Sequence, residues 1–336
     1  MKRTFAYLAV AAILLSSCSK TPTTGLNDAA KRYFDAWMSM NHPDLKPTPL
    51  GAYVLDEKEG SGKIVGDSKE SPYLLVNYVA RYLNGTISDY TTEQTAKQLG
   101  KYVFGNYYGP KIWRRSNDNL NVGLDEMVTS MRVGGEKTSI IPGWLFTFDR
   151  YDNVQGYLDN VSGTNMIYSV EVLESISDIR KWEIDSIGRY LANNFPDVKP
   201  TDSLKLGFYY KSLRAPVDTT SYPNDTTVYI NYTGRLLNGQ VFDTNIADTA
   251  KFYGIYKAGG SYKPSSVTWN KDNYTEITLG SSTVIDGFSY GLHHMRRKEK
   301  AIFVFMSALG YSSTGSGSNI PGYSPLRFDI EIVDKE

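Results

Sequence analysis

Cysteine occurs once in the 336 residues, at Cys18, so no internal disulfide can staple the fold. Histidine is nearly as scarce. There are three, and two of them, His293 and His294, are neighbours that point apart on a helix with no third ligand at metal-binding spacing. No metal and no cofactor are expected. Excess charge of either sign is missing too: 36 Lys plus Arg balance 36 Asp plus Glu, leaving no basic surplus to neutralise phosphates. Nucleic acid is therefore excluded as an expected partner. No Ser/His/Asp set and no glycine-rich phosphate loop stands out. What the chain has is enough apolar residue, 41%, for two cores of ordinary size, and an unusual 26 Tyr and 5 Trp that can line grooves as well as fill interiors.

Long hydrophobic runs are also lacking. The single one, Phe5 to Leu15, follows Lys2 and Arg3 and is too short to span a bilayer comfortably, so residues 1–17 are expected to be a cleaved secretory signal. Leu15-Ser16-Ser17-Cys18 resembles the bacterial lipobox, in which the cysteine is acylated and becomes the new N-terminus. Each buried acyl CH₂ contributes about 0.8 kcal/mol, so two or three chains on Cys18 would hold the protein to a membrane without a transmembrane helix. Residues 18–25, rich in Thr and Pro, are expected to be a tether. The cell envelope is the expected location, and Ser19 after the lipidation site leans toward the outer membrane.

The remaining chain repeats itself. Pro43-Asp44-Leu45-Lys46-Pro47-Thr48 recurs as Pro196-Asp197-Val198-Lys199-Pro200-Thr201, and downstream Asn77-Tyr78 answers Asn231-Tyr232, Asn84-Gly85 answers Asn238-Gly239, Asp89 answers Asp243, and Met131-Arg132 answers Met295-Arg296. Such order describes two large copies of one domain, residues 26–175 and 176–336, and not a solenoid of short units. Each copy opens with an amphipathic helix: Leu26, Ala30, Tyr33, Phe34, Trp37 and Met38 form one stripe, and Ile184, Ile187, Leu191 and Phe195 the other. Proline ends both, at Pro43 and Pro196. Short aromatic or β-branched runs follow, at 204–213, 228–233, 300–306 and 326–333, which predict antiparallel strands. Asn238-Gly239 predicts a tight type I′ hairpin turn, and 286–295 one short helix.

In the second copy, Val228-Tyr229-Ile230-Asn231-Tyr232-Thr233-Gly234 and Asn238-Gly239-Gln240-Val241-Phe242-Asp243 resemble the opening strands of the FKBP-type peptidyl-prolyl isomerases. Leu279-Gly280, Val284-Ile285-Asp286-Gly287-Phe288 and Gly291-Leu292-His293-His294-Met295 are similar to that family's helix segment. Ile320-Pro321 and Leu326 to Ile332 resemble its closing loop and last strand. The resemblance implies an α+β fold of two tandem units, each a twisted antiparallel sheet wrapped round a short helix, with the additional N-terminal helix. It also implies a pocket: Tyr232 and Phe242 as walls, Val284 and Ile285 as an edge, Phe288 as floor and Phe328 at the back. Ile285 is implied to offer its backbone N–H, Tyr311 its hydroxyl from the opposite loop, Asp243 to hold polar groups at the rim, and Ile320 to line the substrate side. The expected partners are proline-containing polypeptides.

Departures from the family pattern carry expectations of their own. The floor residue is often Trp, and Phe288 replaces it with a smaller aromatic. Thr275 and Ile277 stand where pocket aromatics are usual, so Phe252, Tyr253 or Tyr256, from an insert spanning about 244–274, are candidates to fill the gap. Ala308-Leu309-Gly310 departs from the usual Ala-Tyr-Gly, which is why Tyr311 is assigned by counting back from Ile320. In the first copy Ser88 stands for Phe242, Leu124 for Phe288 and Asn121 for Ile285, with Trp144 or Phe146 as aromatics that could build a divergent pocket. That copy is expected to be an inactive binding or spacer domain. The expected function is a lipid-anchored isomerase assisting the folding of envelope or secreted proteins, with a noncatalytic chaperone or ligand-binding surface lipoprotein as the alternative.

Overall fold

The computed structural model describes residues 27–116, 118–199 and 203–335, so the signal sequence, Cys18 and the tether lie outside the described residues. The first copy runs α1 (Asp28–Asn41), β1 (Tyr53–Lys58), β2 (Tyr73–Tyr82), β3 (Ile87–Tyr90), α2 (Glu93–Gln98), β4 (Lys111–Arg114), α3 (Val122–Thr129), β5 (Glu136–Ile141), α4 (Val154–Asn160) and β6 (Met166–Ile176). The second begins with α5 (Ile179–Asn194), β7 (Ser203–Lys205), β8 (Phe208–Arg214), β9 (Thr227–Leu236), β10 (Val241–Thr244) and α6 (Ala247–Phe252). It continues with β11 (Ser265–Thr268), β12 (Thr278–Leu279), β13 (Ser282–Thr283), α7 (Asp286–His294), β14 (Lys300–Phe305) and β15 (Leu326–Val333). β6 thus runs one residue past the boundary expected after 175.

The duplication is visible in the pairing. One sheet follows the order β1-β5-β6-β2-β3 with β4 also on β2. The other follows β8-β14-β15-β9, with β10 and β11 both on β9, and adds β7 outside β8 and β12-β13 outside β11. All these pairs are antiparallel, and strand for strand the two paths coincide. Equivalent residues can therefore be read from register: Tyr232 faces Ile330 as Tyr78 faces Val170, and Phe328 faces Gly234 as Tyr168 faces Ala80.

Each sheet packs one face on a short helix. In the first copy Val122, Leu124, Met127 and Val128 of α3 enter a core that also takes Phe34 and Met38 of α1. The stripe of α1 is narrower than its sequence suggests, because Tyr33 is 63% exposed. In the second copy Phe288 and Leu292 of α7 meet Phe208, Phe303, Phe305 and Phe328 of the sheet. Close approach is possible because Gly287 and Gly291 lie on the same helical face, against the rings of Phe305 and Phe303, where a Cβ would collide. Helix α5 takes the opposite side of that sheet, its Ile187 and Leu191 packing on Tyr209, Val304 and Met306.

The hairpin differs from expectation. Gly239 has φ 92°, but Asn238 is not left-handed. Gly239 N–H donates to Leu236 C=O and Leu236 N–H to Gln240 C=O, at 3.0 and 2.9 Å, a type I turn followed by a left-handed glycine rather than a two-residue type I′ turn. Asn84-Gly85 repeats it, with Gly85 N–H on Tyr82 C=O at 2.9 Å.

Candidate active site

Strands β9, β10 and β15, helix α7 and one loop converge on the concave face of the second sheet. Alternation along β9 turns Tyr232 and Gly234 toward the helix, and β10 returns beside them with an irregularity: Val241 faces Arg235 while Asp243 faces Gly234. Phe242 is the extra residue of this bulge, which re-aims its ring over the sheet. The ring needs Gly234 beneath it. A Cβ at 234 would stand 2.5 Å from Phe242 Cε2 and 2.9 Å from Phe328 Cε1. Helix α7 starts opposite, with Val284 and Ile285 at its entry and Phe288 in its first turn. The loop between β14 and β15 supplies Tyr311 and Ile320.

These side chains surround one open cavity of about 570 Å³, in which Tyr232, Phe242, Asp243, Val284, Ile285 and Phe288 meet Tyr311, Ile320 and Phe328. Its rings stack edge to face: Tyr232 on Phe288 at 5.9 Å, Phe288 on Phe328 at 5.0 Å and Phe242 on Phe328 at 5.7 Å. Interlocked edge-to-face rings fix one another's orientation, so the hollow is preformed. Phe288 is 3% exposed and forms the floor.

Polar groups are few and placed at the rim. Tyr232 Oη donates to Asp243 Oδ2 at 2.9 Å, and burial, reinforced by the Asp243 charge, pushes the Tyr232 phenol well above its ordinary pKa. Burial likewise raises Tyr311, with Asp243 a smaller contribution, so both phenols remain donors at neutral pH. The Ile285 N–H, at the start of α7, has no acceptor among the described residues. An amide there, at the positive end of a helix, suits an incoming carbonyl oxygen.

A largely aromatic, preformed hollow with an unpaired amide at its edge is matched by relatedness. Residues 219–333 match the model of the family described as FKBP-type peptidyl-prolyl cis-trans isomerase. FK506-binding protein 2 of Dictyostelium discoideum is 31% identical over 135 residues, 40% of this chain and 82% of that protein. FK506-binding protein 1A of Aspergillus fumigatus is 32% identical over 124 residues, covering 37% of this chain and 90% of that protein. The chain belongs to the FKBP-type peptidyl-prolyl cis-trans isomerase family. A probable FKBP-type isomerase of Haemophilus influenzae is 30% identical over 183 residues, 54% of this chain, and the chain spans 64% of that relative's length.

Several features of this FKBP-type site escape a reading of the sequence. Leu279, Thr283 and the run Ser316 to Asn319 also line the cavity. Residues Phe252, Tyr253 and Tyr256 do not, contrary to the expectation that they fill the gap at Thr275 and Ile277. Phe252 is 83% exposed, the Tyr253 ring lies 4.9 Å from the Arg235 guanidinium, and Ile277 itself is buried. Within the insert, β11 joins the sheet beside β9. Buried Asn245 stitches it down, accepting from Tyr232 N–H at 2.8 Å and donating to Ile230 C=O at 2.8 Å and Lys263 C=O at 3.1 Å. His293 and His294 turn to the backbone carbonyls of Lys271 and Tyr290, at 2.9 and 2.8 Å.

The equivalent face of the first copy is built from different side chains. Tyr78 keeps its bond to Asp89 Oδ2, at 2.6 Å, but its ring is closed in by Trp113 at 5.3 Å and Tyr168 at 6.2 Å. Ser88 takes the place of Phe242, and Ala80 that of Gly234, so the glycine disappears together with the ring that required it. Asn121 caps α3, accepting from Leu124 N–H at 3.0 Å, where Ile285 leads into α7 without a side-chain cap. Trp144 is buried against Phe34, ring centroids 5.3 Å apart.

Proposed function

We propose that this chain is a peptidyl-prolyl cis/trans isomerase whose activity resides in the second copy, and that acylation of Cys18 ties it to the bacterial envelope, where it assists the folding of secreted or outer-membrane proteins. The observation that carries the enzymatic reading is the open aromatic cavity around Phe288 with the Ile285 amide at its edge. Rotation about the prolyl bond is opposed by roughly 18–20 kcal/mol of amide resonance. At the twisted transition state that resonance is lost: the carbonyl becomes less polar and the nitrogen regains a lone pair. A water-poor aromatic surface lowers the energy of the twisted amide relative to the planar one, and each ten-fold acceleration takes about 1.4 kcal/mol of that preference. The Phe288 ring receives the pyrrolidine, the Ile285 N–H holds the carbonyl of the preceding part of the chain, and Tyr311 offers a second donor across the cavity. Asp243 fixes the Tyr232 wall. No covalent step is required.

The first copy, with Ser88, Leu124 and Asn121 where the second has Phe242, Phe288 and Ile285, serves in this reading as a noncatalytic unit. Proline isomerisation in a tetrapeptide and in a refolding protein tests the enzymatic reading. The full chain is expected to accelerate both, and Phe242→Ala and Tyr232→Ala to lose most of that acceleration; equal rates for all three remove the enzyme. Incorporation of labelled fatty acid into the wild type and not into Cys18→Ser tests the anchor, and equal incorporation in both overturns it.

A further inference from the structure

We propose that the first copy is a strut for the loop that borders the cavity of the second, with Asn106 and Tyr107 as its positioning residues. The proposal rests on the cavity being the isomerase site. Ser316, Gly317, Ser318 and Asn319 line part of the cavity, a stretch with little side chain to anchor it. Left to itself, such a Gly/Ser segment populates many backbone conformations, and each residue ordered on binding costs entropy. Its internal support includes the pair of bonds between Ser316 and Ile320, at 2.8 and 3.1 Å, and a 3.1 Å contact from Ser318 Oγ to Asn319 Oδ1, longer than the one the same hydroxyl makes to Asn106.

The first copy supplies the rest. Ser318 is gripped at two points: its Oγ donates to Asn106 Oδ1 at 2.6 Å, and its carbonyl accepts from Tyr107 N–H at 2.8 Å. Tyr107 also packs its ring on the second core and turns its hydroxyl back to Pro110 C=O at 2.9 Å, which stiffens the segment it sits on. From the hairpin beside Phe242, Gln240 Nε2 donates to Gly105 C=O at 2.8 Å. Residues 105–107 thus bridge the β9–β10 hairpin and the cavity loop, and the lining of the hollow includes Phe242 next to that hairpin and Ser316 to Asn319 of that loop. The first copy would in this way set the width of its neighbour's hollow.

The test uses the full chain and separates binding from chemistry. Losing one neutral hydrogen bond that orders the loop is expected to raise KM for a tetrapeptide roughly two- to ten-fold in Asn106→Ala, with kcat changed by less than about two-fold. Asn106→Asp, which keeps an acceptor for the Ser318 hydroxyl, is expected to restore KM. Amide hydrogen exchange at Ser316 and Ile320 should quicken in Asn106→Ala and not in Asn106→Asp, and Gln240→Ala should quicken it from the other anchor. Wild-type KM and wild-type exchange in Asn106→Ala and Gln240→Ala overturn the strut. A wild type that isomerises nothing defeats the enzymatic reading instead, and the exchange measurement then still decides the strut.

Discussion

Gly234→Ala is a small perturbation with a large expected consequence. The added Cβ would lie 2.5 Å from Phe242 Cε2 and 2.9 Å from Phe328 Cε1, both closer than carbon atoms tolerate, so both rings must give way. Neither can do so freely. Phe328 is wedged edge to face against Phe288 at 5.0 Å and stacked on Phe305 at 5.9 Å, and Phe242 leans on Phe328 at 5.7 Å. Overpacking of this kind costs about 1–3 kcal/mol, a fall of roughly 2–12 °C in the melting temperature of a domain of this size. Displacing two cavity rings by about 1 Å is expected to cost ten- to a hundred-fold in kcat/KM. The first copy supplies the control, since Ala80 is accommodated there with Ser88 opposite. Gly234→Ala combined with Phe242→Ser should recover the melting temperature and not the activity. Thermal unfolding by circular dichroism and the tetrapeptide assay read the two effects separately. Unchanged stability and unchanged activity in Gly234→Ala would refute the argument that the glycine exists to seat the rings.

Other expectations follow from the polar groups. Buried Glu183 of α5 accepts from Ser307 N–H at 2.6 Å and from Ser307 Oγ at 2.7 Å, and burial holds its pKa above the ordinary carboxylate value despite these bonds. Because the folded pKa is the higher one, its contribution to stability is full below the unfolded value and is lost as pH rises through the folded value. Urea midpoints of wild type relative to Glu183→Gln should therefore fall with rising pH above about 4.5, and parallel curves would count against this assignment. The phenols of Tyr232 and Tyr311 are raised mainly by burial, so kcat/KM should stay flat from pH 7 to about 9.5; an inflection below pH 9 would show a different titrating group at the site. Tyr311→Phe removes a donor without removing the ring, and is expected to lower kcat/KM about two- to ten-fold while leaving the melting temperature within about 2 °C.

What could be read from residues alone was whatever depends on periodicity and side-chain type. Alternation puts Tyr232 and Phe328 on one face of their strands whatever the loops do, and two copies of one strand pattern imply two sheets. The narrower stripe of α1 shows the limit of that reasoning, since amphipathic spacing does not say how far the neighbouring sheet extends over Tyr33. The lining from Ser316 to Asn319 was invisible because Gly and Ser carry no preference for a particular path, and that path depends on Asn106 and Tyr107, more than two hundred residues earlier. The hairpin turn differs from expectation because Asn-Gly serves both a two-residue type I′ loop, in which both residues are left-handed, and a three-residue loop, in which only the glycine is. Phe252 and Tyr256 looked like pocket aromatics by type; their segment instead follows a buried Asn245 whose side chain pins the insert to the edge of β9, and no periodicity announces such a residue.

The central claim is that the cavity around Phe288 prefers a rotating prolyl amide to a planar one. Exchange spectroscopy on a single-proline peptide, recorded with catalytic amounts of the full chain, measures that preference directly. Cis/trans exchange should be accelerated by the wild type and by Ser88→Ala, the substitution at the matching position of the first copy, and should return toward the uncatalysed rate with Phe242→Ala. Acceleration that survives Phe242→Ala, or a wild type that leaves the exchange rate unchanged, would contradict the account.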